Sequence, residues 1–207
     1  MHETRVRAGR ILAREYPVRA DVVAGVPDSG LSAAMGYAAE SGIPMGMALV
    51  KNKYVGRSFI LPSQEQRADA VRVKLSPIRS VIEGKSLVLI DDSIVRGTTI
   101  RRIISLLREA GAEEVHLRIS SPPFRHPCFY GVDIDSEENL IAARFREEEI
   151  ARLVGADSLG FLPPESLGEM SGCSSFCSGC FDGNYPAGLP LDPRKDRFER
   201  KLSEVSR

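Results

Sequence analysis

The chain has 207 residues, 43% of them hydrophobic and 27% charged, with 28 Lys plus Arg balanced by 28 Asp plus Glu. That length buries one well-cored α/β domain with a tail and leaves little room for a second full domain. The balanced charge excludes a global field that would gather nucleic acid or an anionic membrane, so an anionic ligand must be held by a local site. No apolar run reaches the roughly 20 residues of a bilayer span, and Met1-His2-Glu3 opens no signal peptide, so the expectation is a soluble cytoplasmic protein without nucleic-acid or membrane partners.

In chain order, the spacing of Val6, Ile11, Leu12 and Tyr16 predicts an amphipathic helix over residues 3–16, stopped by Pro17. The valine-rich "DVVAGV" (21–26) reads as a strand, "PDSG" as the turn after it, and Leu31 to Glu40 as a helix closed by Gly42. "MGMALV" (45–50) is the next predicted strand. Between Lys51 and Ser80 the hydrophobic periodicity is lost, and Lys, Arg, Gln and Ser gather around "YVGRSFILP", the pattern of a mobile functional loop or an excursion with little structure. Order resumes with strand "SLVLID" (86–91), a loop, a helix from Thr99 to Ala110 stopped by Gly111, and strand "EVHLRIS" (114–120). Helices near 137–143 and 147–154, a short strand "SLGFL" (158–162) and a cysteine segment follow. The tail "PRKDRFERKLSEVSR" is charged with few apolar anchors and reads as frayed or as a lone solvated helix. Alternating strands and helices predict an α/β fold with a parallel sheet covered on both faces, which binds ligands beyond the carboxyl ends of its strands.

The most informative stretch is "LVLIDDSIVRGTT", Leu87 to Thr99. An apolar strand that ends in two adjacent carboxylates cannot keep both in the core, because unpaired buried charges are costly. They must meet solvent, a cation or hydroxyls. After them, Ser93 to Thr99 offers backbone N–H groups, the freedom of Gly97 and the hydroxyls of Thr98 and Thr99 at a helix start, which together form an anion cradle. One loop thus carries acceptors for sugar hydroxyls or a metal at its head and donors for a phosphate at its foot, the polarity of a ribose 5-phosphate. Neither the Walker pattern nor the dinucleotide pattern G-x-G-x-x-G occurs. His116 alternates within a strand and reads as structural, His2 as frayed, and His126 as no more than a neighbour of the Cys128 ligand position.

"VLIDDSIVRGTT" resembles the phosphoribosyl diphosphate (PRPP) signature of type I phosphoribosyltransferases. Five further stretches are similar to the amidophosphoribosyltransferase branch of that family: "GVPDSG" (25–30), "VKNKYVGRSFILPSQEQR" (50–67), "VRVKLSPIRSVIEGKS" (71–86), "SSPPFRHPCFYGVDI" (120–134) and "CSGCFDGNYP" (177–186). The resemblance spans residues 3 to 186 and implies a type I phosphoribosyltransferase fold, a parallel sheet flanked by helices with a long flexible loop and a cysteine-rich C-terminal segment. It divides the chain into a phosphoribosyltransferase domain (1–165), a metal-binding segment packed on it (166–190) and a charged tail (191–207). By resemblance, Asp91 and Asp92 bind the ribose hydroxyls and Mg²⁺, with Ser29 near the metal. Ser93, Ile94, Val95, Arg96, Gly97, Thr98 and Thr99 wrap the 5-phosphate, and Asp28, Ser29 and Gly30 form the diphosphate turn. Lys51 to Arg67 would close over substrate, bringing Lys51, Tyr54, Arg57 and Arg67 to the diphosphate; Asp91, Asp92, Lys51 and Arg57 are the catalytic candidates.

All four cysteines follow Phe124, and three fall between Cys173 and Cys180, a local ligand cluster rather than a disulfide framework. The resemblance implies a [4Fe–4S] cluster: Cys128, Cys177 and Cys180 match three family ligands, the fourth lies upstream of the region represented here, and Cys173 is the candidate replacement. Four thiolates also suit tetrahedral Zn²⁺, the alternative, and free thiols are a third state. The family's glutaminase domain, with its catalytic cysteine, is not in this sequence. The expected activity is therefore transfer from PRPP to ammonia, giving 5-phosphoribosylamine and diphosphate at the start of purine biosynthesis, with ammonia free or delivered by a separate glutaminase. A non-catalytic PRPP-binding regulator, or a subunit that requires a glutaminase, is the alternative. A homo-oligomer is a further implication of the family.

Overall fold

The computed structural model describes residues 1–52, 75–131, 134 and 136–189. Helix α1 (His2–Glu15) leads to strand β1 (Val22–Gly25) and helix α2 (Leu31–Ser41), and then to two short strands, β2 (Leu49–Lys51) and β3 (Leu75–Pro77). After the single turn α3 (Arg79–Ile82) come β4 (Ser86–Asp91), α4 (Thr98–Glu109) and β5 (Glu114–Ile119). The last part holds a 3₁₀ turn (Glu137–Asn139), α5 (Ile141–Arg144), α6 (Glu147–Val154), β6 (Ser158–Phe161), a 3₁₀ turn (Pro164–Ser166), α7 (Leu167–Ser171) and α8 (Gly179–Asp182).

Strands β1, β4, β5 and β6 form a parallel sheet in the order β1-β4-β5-β6, and Val23 also bridges to Met45 in parallel on the outer side of β1. The strands are buried on both faces, as crossover helices require. Val22, Ala24, Leu87, Leu89, Val115, Leu117, Ile119 and Phe161 face one core, which α4 covers through Ile100, Ile103, Ile104 and Leu107. Val23, Val88 and Ile90 face the other, under α1 and α2. There the helices approach backbone to backbone: a Cβ on Gly9 would lie 1.8 Å from the Ala33 carbonyl oxygen, and one on Gly36 would lie 1.9 Å from that of Val6.

On the α1 side β5 presents His116 and Arg118, both buried. Arg118 donates Nε–H to the Tyr16 carbonyl (3.2 Å) and Nη1–H to Ser158 Oγ (2.9 Å) and the Leu117 carbonyl (2.9 Å). The Tyr37 hydroxyl donates to the same Tyr16 carbonyl (2.9 Å), and the Tyr16 ring lies over Gly160. Burial pulls the Arg118 pKa down, so its charge is held by these oxygens. His116, bonded to Ser158 Oγ (3.0 Å) across the strand pair and to Glu114 (3.3 Å), has the structural place expected of it.

Two elements differ from the sequence reading. "MGMALV" is not one strand: only Met45 touches the sheet, and β2 pairs antiparallel with β3 in a separate two-stranded unit. Gly46, whose N–H bonds the Val23 carbonyl, packs against Val22 and Val81 and lets the chain leave the sheet. β3 and the start of α3 lie inside the stretch 51–80 read as a mobile functional loop or an excursion with little structure, because elements of three and four residues carry no readable period. Residues 53–74 of that stretch lie outside the described residues. The helix expected near 137–143 is two pieces, a 3₁₀ turn and α5, divided at Leu140.

Candidate active site at the carboxyl ends of β1 and β4

β1 has Met45 on one side and β4 on the other, so the chain leaves its carboxyl end toward one flank of the sheet while the later strands build toward the opposite flank. That reversal opens a crevice at the switch point. Two loops flank it. Residues 26–30 fold tightly on the end of β4: the Val26 N–H bonds the Ile90 carbonyl (2.8 Å) and the Gly30 N–H bonds the Val26 carbonyl (2.9 Å). Glycine is required here, since a Cβ on Gly30 would stand 2.3 Å from the Ile90 oxygen. The Pro27–Asp28 peptide is cis. Asp28, exposed, takes an ion pair from Lys51 on β2 (2.6 Å), and the half-buried Ser29 accepts from Arg5 Nη1 of α1 (3.4 Å) through its carbonyl.

Opposite stands the acidic loop. Asp91 is the last residue of β4 and only 8% exposed, while Asp92 is half-buried. The Asp92 N–H donates to Asp91 Oδ1 (2.8 Å), and the Ser93 hydroxyl donates to Asp92 Oδ1 (3.1 Å). Burial, and then the charge of Asp92, push the Asp91 carboxyl up to about 7, against the pull of that N–H. Ser120 fixes the strand end by donating both N–H (2.9 Å) and Oγ–H (3.2 Å) to the Asp91 carbonyl.

From there the loop is anchored on one side and open on the other. Ile94 is buried, and the Val95 carbonyl accepts the Ile141 N–H (2.9 Å). Gly97 sits at φ 80° directly before α4, where a Cβ would meet Ile141 Cδ1 at 2.8 Å. Arg96, Thr98 and Thr99 are exposed, so the hydroxyls and N–H groups of the first turn of α4 face outward beside the acidic pair. The arrangement matches the cradle read from the sequence: carboxylates at the head, helix N-terminus at the foot. Tyr54, Arg57 and Arg67 lie outside the described residues. Sequence reading missed the Lys51–Asp28 pair, the clamp by Ser120 and the backing of Gly97 by Ile141, because each joins residues far apart in the chain.

The cysteines lie elsewhere. Residues 179–189 dock on 124–130 through Phe124 against Phe181 (5.0 Å between ring centroids), Tyr185 against Phe129 (5.3 Å) and Tyr130 (5.8 Å), and a Tyr185 hydroxyl bond to the Pro127 carbonyl (2.6 Å). This brings Cys128, Cys177 and Cys180 into one neighbourhood: burial pushes the Cys180 thiol up to about 11, and Cys128 and Cys177 add to the shift. Cys173, the fourth of the expected set, has a different setting. It follows the left-handed cap Gly172, is exposed, and is turned to Ser171, whose Oγ accepts its N–H at 3.1 Å. Among the described residues no three His, Cys, Asp or Glu side chains converge on a common metal position.

The phosphoribosyl transferase domain family matches residues 7–121. An amidophosphoribosyltransferase of Methanothermobacter thermautotrophicus is 54% identical over 194 residues, 93% of this chain and 41% of the relative. One from Synechocystis sp. is 52% identical over 200 residues, 96% of this chain and 40% of the relative. The solved structure of a glutamine PRPP amidotransferase from B. subtilis, complexed with ADP and GMP, superposes with a TM-score of 0.81 at 52% identity, over 94% of this chain and 43% of that one. The chain thus spans about two fifths of the length of the relatives it matches. With the parallel sheet, the acidic loop and the tight turn opposite it in place, these similarities bear out the resemblance read from the sequence, and the chain belongs to the phosphoribosyltransferase family.

Proposed function

We propose that this chain transfers the phosphoribosyl group of PRPP to ammonia, giving 5-phosphoribosylamine and diphosphate at the entry to purine biosynthesis. The observation that carries the reading is the order within one loop of an acidic pair, the buried Asp91 and the half-buried Asp92, followed by the open N-terminus of α4 and facing the 26–30 turn. In this reading Asp91 and Asp92 accept the ribose 2- and 3-hydroxyls, and Ser93 to Thr99 hold the 5-phosphate. Asp28 to Gly30 receive the diphosphate with help from Lys51, and Tyr54, Arg57 and Arg67 belong to the same reading. The C1–O bond breaks, the diphosphate leaves with the electron pair, and ammonia forms the C1–N bond and loses a proton. No covalent nucleophile is needed, only stabilisation of the anionic leaving group and exclusion of water.

A carboxyl raised by its own burial and by a second carboxylate is a donor set that a divalent cation relieves, so Asp91 and Asp92, with Ser29 opposite, fit Mg²⁺. When bound there it would neutralise charge on the departing diphosphate. The thiols fit less completely. Cys128 and Cys177, which both act on the Cys180 thiol, are with it the proposed thiolates of a [4Fe–4S] or Zn²⁺ site that the segment 166–190 would share, and Cys173, whose N–H bonds Ser171, is the candidate with least support. A glutaminase as ammonia source, and self-association of the whole protein, belong to the same proposal.

Diphosphate release is the test, with PRPP and Mg²⁺ and then ammonium, glutamine or neither, beside an Asp91→Asn/Asp92→Asn variant. Release that needs ammonium and falls by at least about 100-fold in the variant is expected. PRPP binding with silence under all three conditions would replace transfer by sensing, or by dependence on a separate glutaminase.

A further inference from the structure

A second cavity lies on the far side of α5 and α6 from the phosphate loop, at the carboxyl end of β6, with a volume of about 420 Å³. That is within the size range of small-molecule sites. Its walls combine two chemistries. Arg125, Arg144 and Arg146 line it, the Arg146 side chain 89% exposed, together with Phe145, Phe161, Pro123 and Ile150. Glu147 and Glu149 share the lining. Glu149 is committed to the start of α6: its carboxylate accepts the Arg146 N–H at 2.9 Å and lies 3.9 Å from the Arg146 guanidinium. Glu147 is half-buried and feels both Arg125, which pulls its pKa down, and the larger penalty of its own burial, which pushes it up. Arg144 lies over the Phe145 ring, 5.4 Å from guanidinium carbon to centroid.

We infer that this cavity is a binding site for a small organic anion, one that bears a phosphate or carboxylate on an apolar or aromatic body. The Arg125 and Arg144 guanidinium groups supply the planar, multi-donor geometry that both oxyanions accept, and the partly buried Phe145 ring supplies the surface for the body. Glu147 shares the lining and lies near enough to Arg125 to feel its charge, so an arriving anion competes with it. The site differs from the crevice at β1 and β4, but several of its lining residues lie on the same two helices that back the 93–99 loop. Ile141, which opens α5, packs on Gly97 and bonds Val95, and Val154 of α6 lies 3.6 Å from the position of a Gly97 Cβ. An occupant that shifts α5 or α6 is therefore felt at the phosphate loop.

The test is titration of the whole chain with phenyl phosphate, benzoate and inorganic phosphate, followed by backbone amide NMR shifts and without PRPP, so that its outcome is independent of the transfer reaction. Phenyl phosphate or benzoate, whichever head group is preferred, is expected to shift Ala142, Ala143 and Ile150, and to do so at lower concentration than inorganic phosphate. Arg125→Gln/Arg144→Gln should weaken that binding about tenfold or more, the loss of at least one charged hydrogen bond. Glu147→Gln should tighten it several-fold, an opposite sign that misfolding cannot mimic. Shifts confined to residues 93–99, or Glu147→Gln without effect on affinity, would overturn the inference.

Discussion

At the scale of single residues, Asp91 is where fold and chemistry conflict. Its carboxyl titrates near 7 in the folded chain against 3.8 when unfolded, so between those values the folded state holds more protons and stability falls as pH rises. The penalty is absent below 3.8 and complete above about 7, where it amounts to on the order of 4 kcal/mol at most. Without divalent cations, Asp91→Asn is expected to melt higher than the parent at pH 8 and at the same temperature near pH 4, because the amide keeps an oxygen for the Asp92 N–H and loses the charge. Mg²⁺ should raise the parent's melting temperature at pH 8 and leave the variant's nearly unchanged. A stabilisation equal at both pH values would mean that the charge is not its cause. The acidic pair itself was legible in the sequence, since two carboxylates at the end of an apolar run have few physical explanations. Its depth of burial was not, because that depends on Ser120 and the β5 end closing over it from 29 residues away.

Among the elements, what was legible followed from period and punctuation. "SLVLID" is β4 residue for residue, and Gly42, at φ 75°, closes α2 as its position implied. The pieces that escaped, β2, β3 and α5, are three or four residues long and owe their existence to partners: β2 to β3, and α5 to the Val95 carbonyl and Gly97. The same dependence on partners governs the α1–α2 crossing, which no periodicity announces. Gly9 and Gly36 are each in a helix, where alanine would ordinarily gain about 1 kcal/mol. Here the added Cβ collides with a backbone oxygen of the facing helix, which cannot rotate away. Gly9→Ala or Gly36→Ala is therefore expected to destabilise the chain by about 2–3 kcal/mol in denaturant unfolding, with the sign opposite to helix propensity. Because α1 also carries Arg5 to the Ser29 carbonyl and His2 to the Ser32 hydroxyl, either variant should weaken PRPP binding as well. Gain of stability in either would show that the helices separate at little cost.

For the whole molecule, the relation between the sheet domain and the cysteine segment decides what the thiols are for. The segment is held by aromatic contacts and backbone bonds: the Cys180 carbonyl accepts the N–H groups of Arg125 (3.0 Å) and His126 (3.1 Å), and the Tyr130 hydroxyl donates to the Gly188 carbonyl (2.6 Å). These contacts set Cys128 and Cys177 near enough to Cys180 to raise its pKa, while Cys173 directly follows α7, whose Glu169 pairs with Arg14 of α1 (2.5 Å). Spacing alone could not separate Cys173 from the others, since C-x₃-C-x₂-C reads as one run; in the structure Cys173 directly follows the cap of α7 at Gly172, whereas Cys180 lies in α8. In protein purified without oxygen, Cys173→Ser is expected to leave iron or zinc content and the visible absorption spectrum unchanged, and Cys128→Ser should remove both. Equal losses in the two variants would mean that the metal draws residues 171–177 out of their place beside α7. Metal retained in both would mean that the three gathered thiols are not its ligands, and that the aromatic docking alone accounts for the segment's place on the domain.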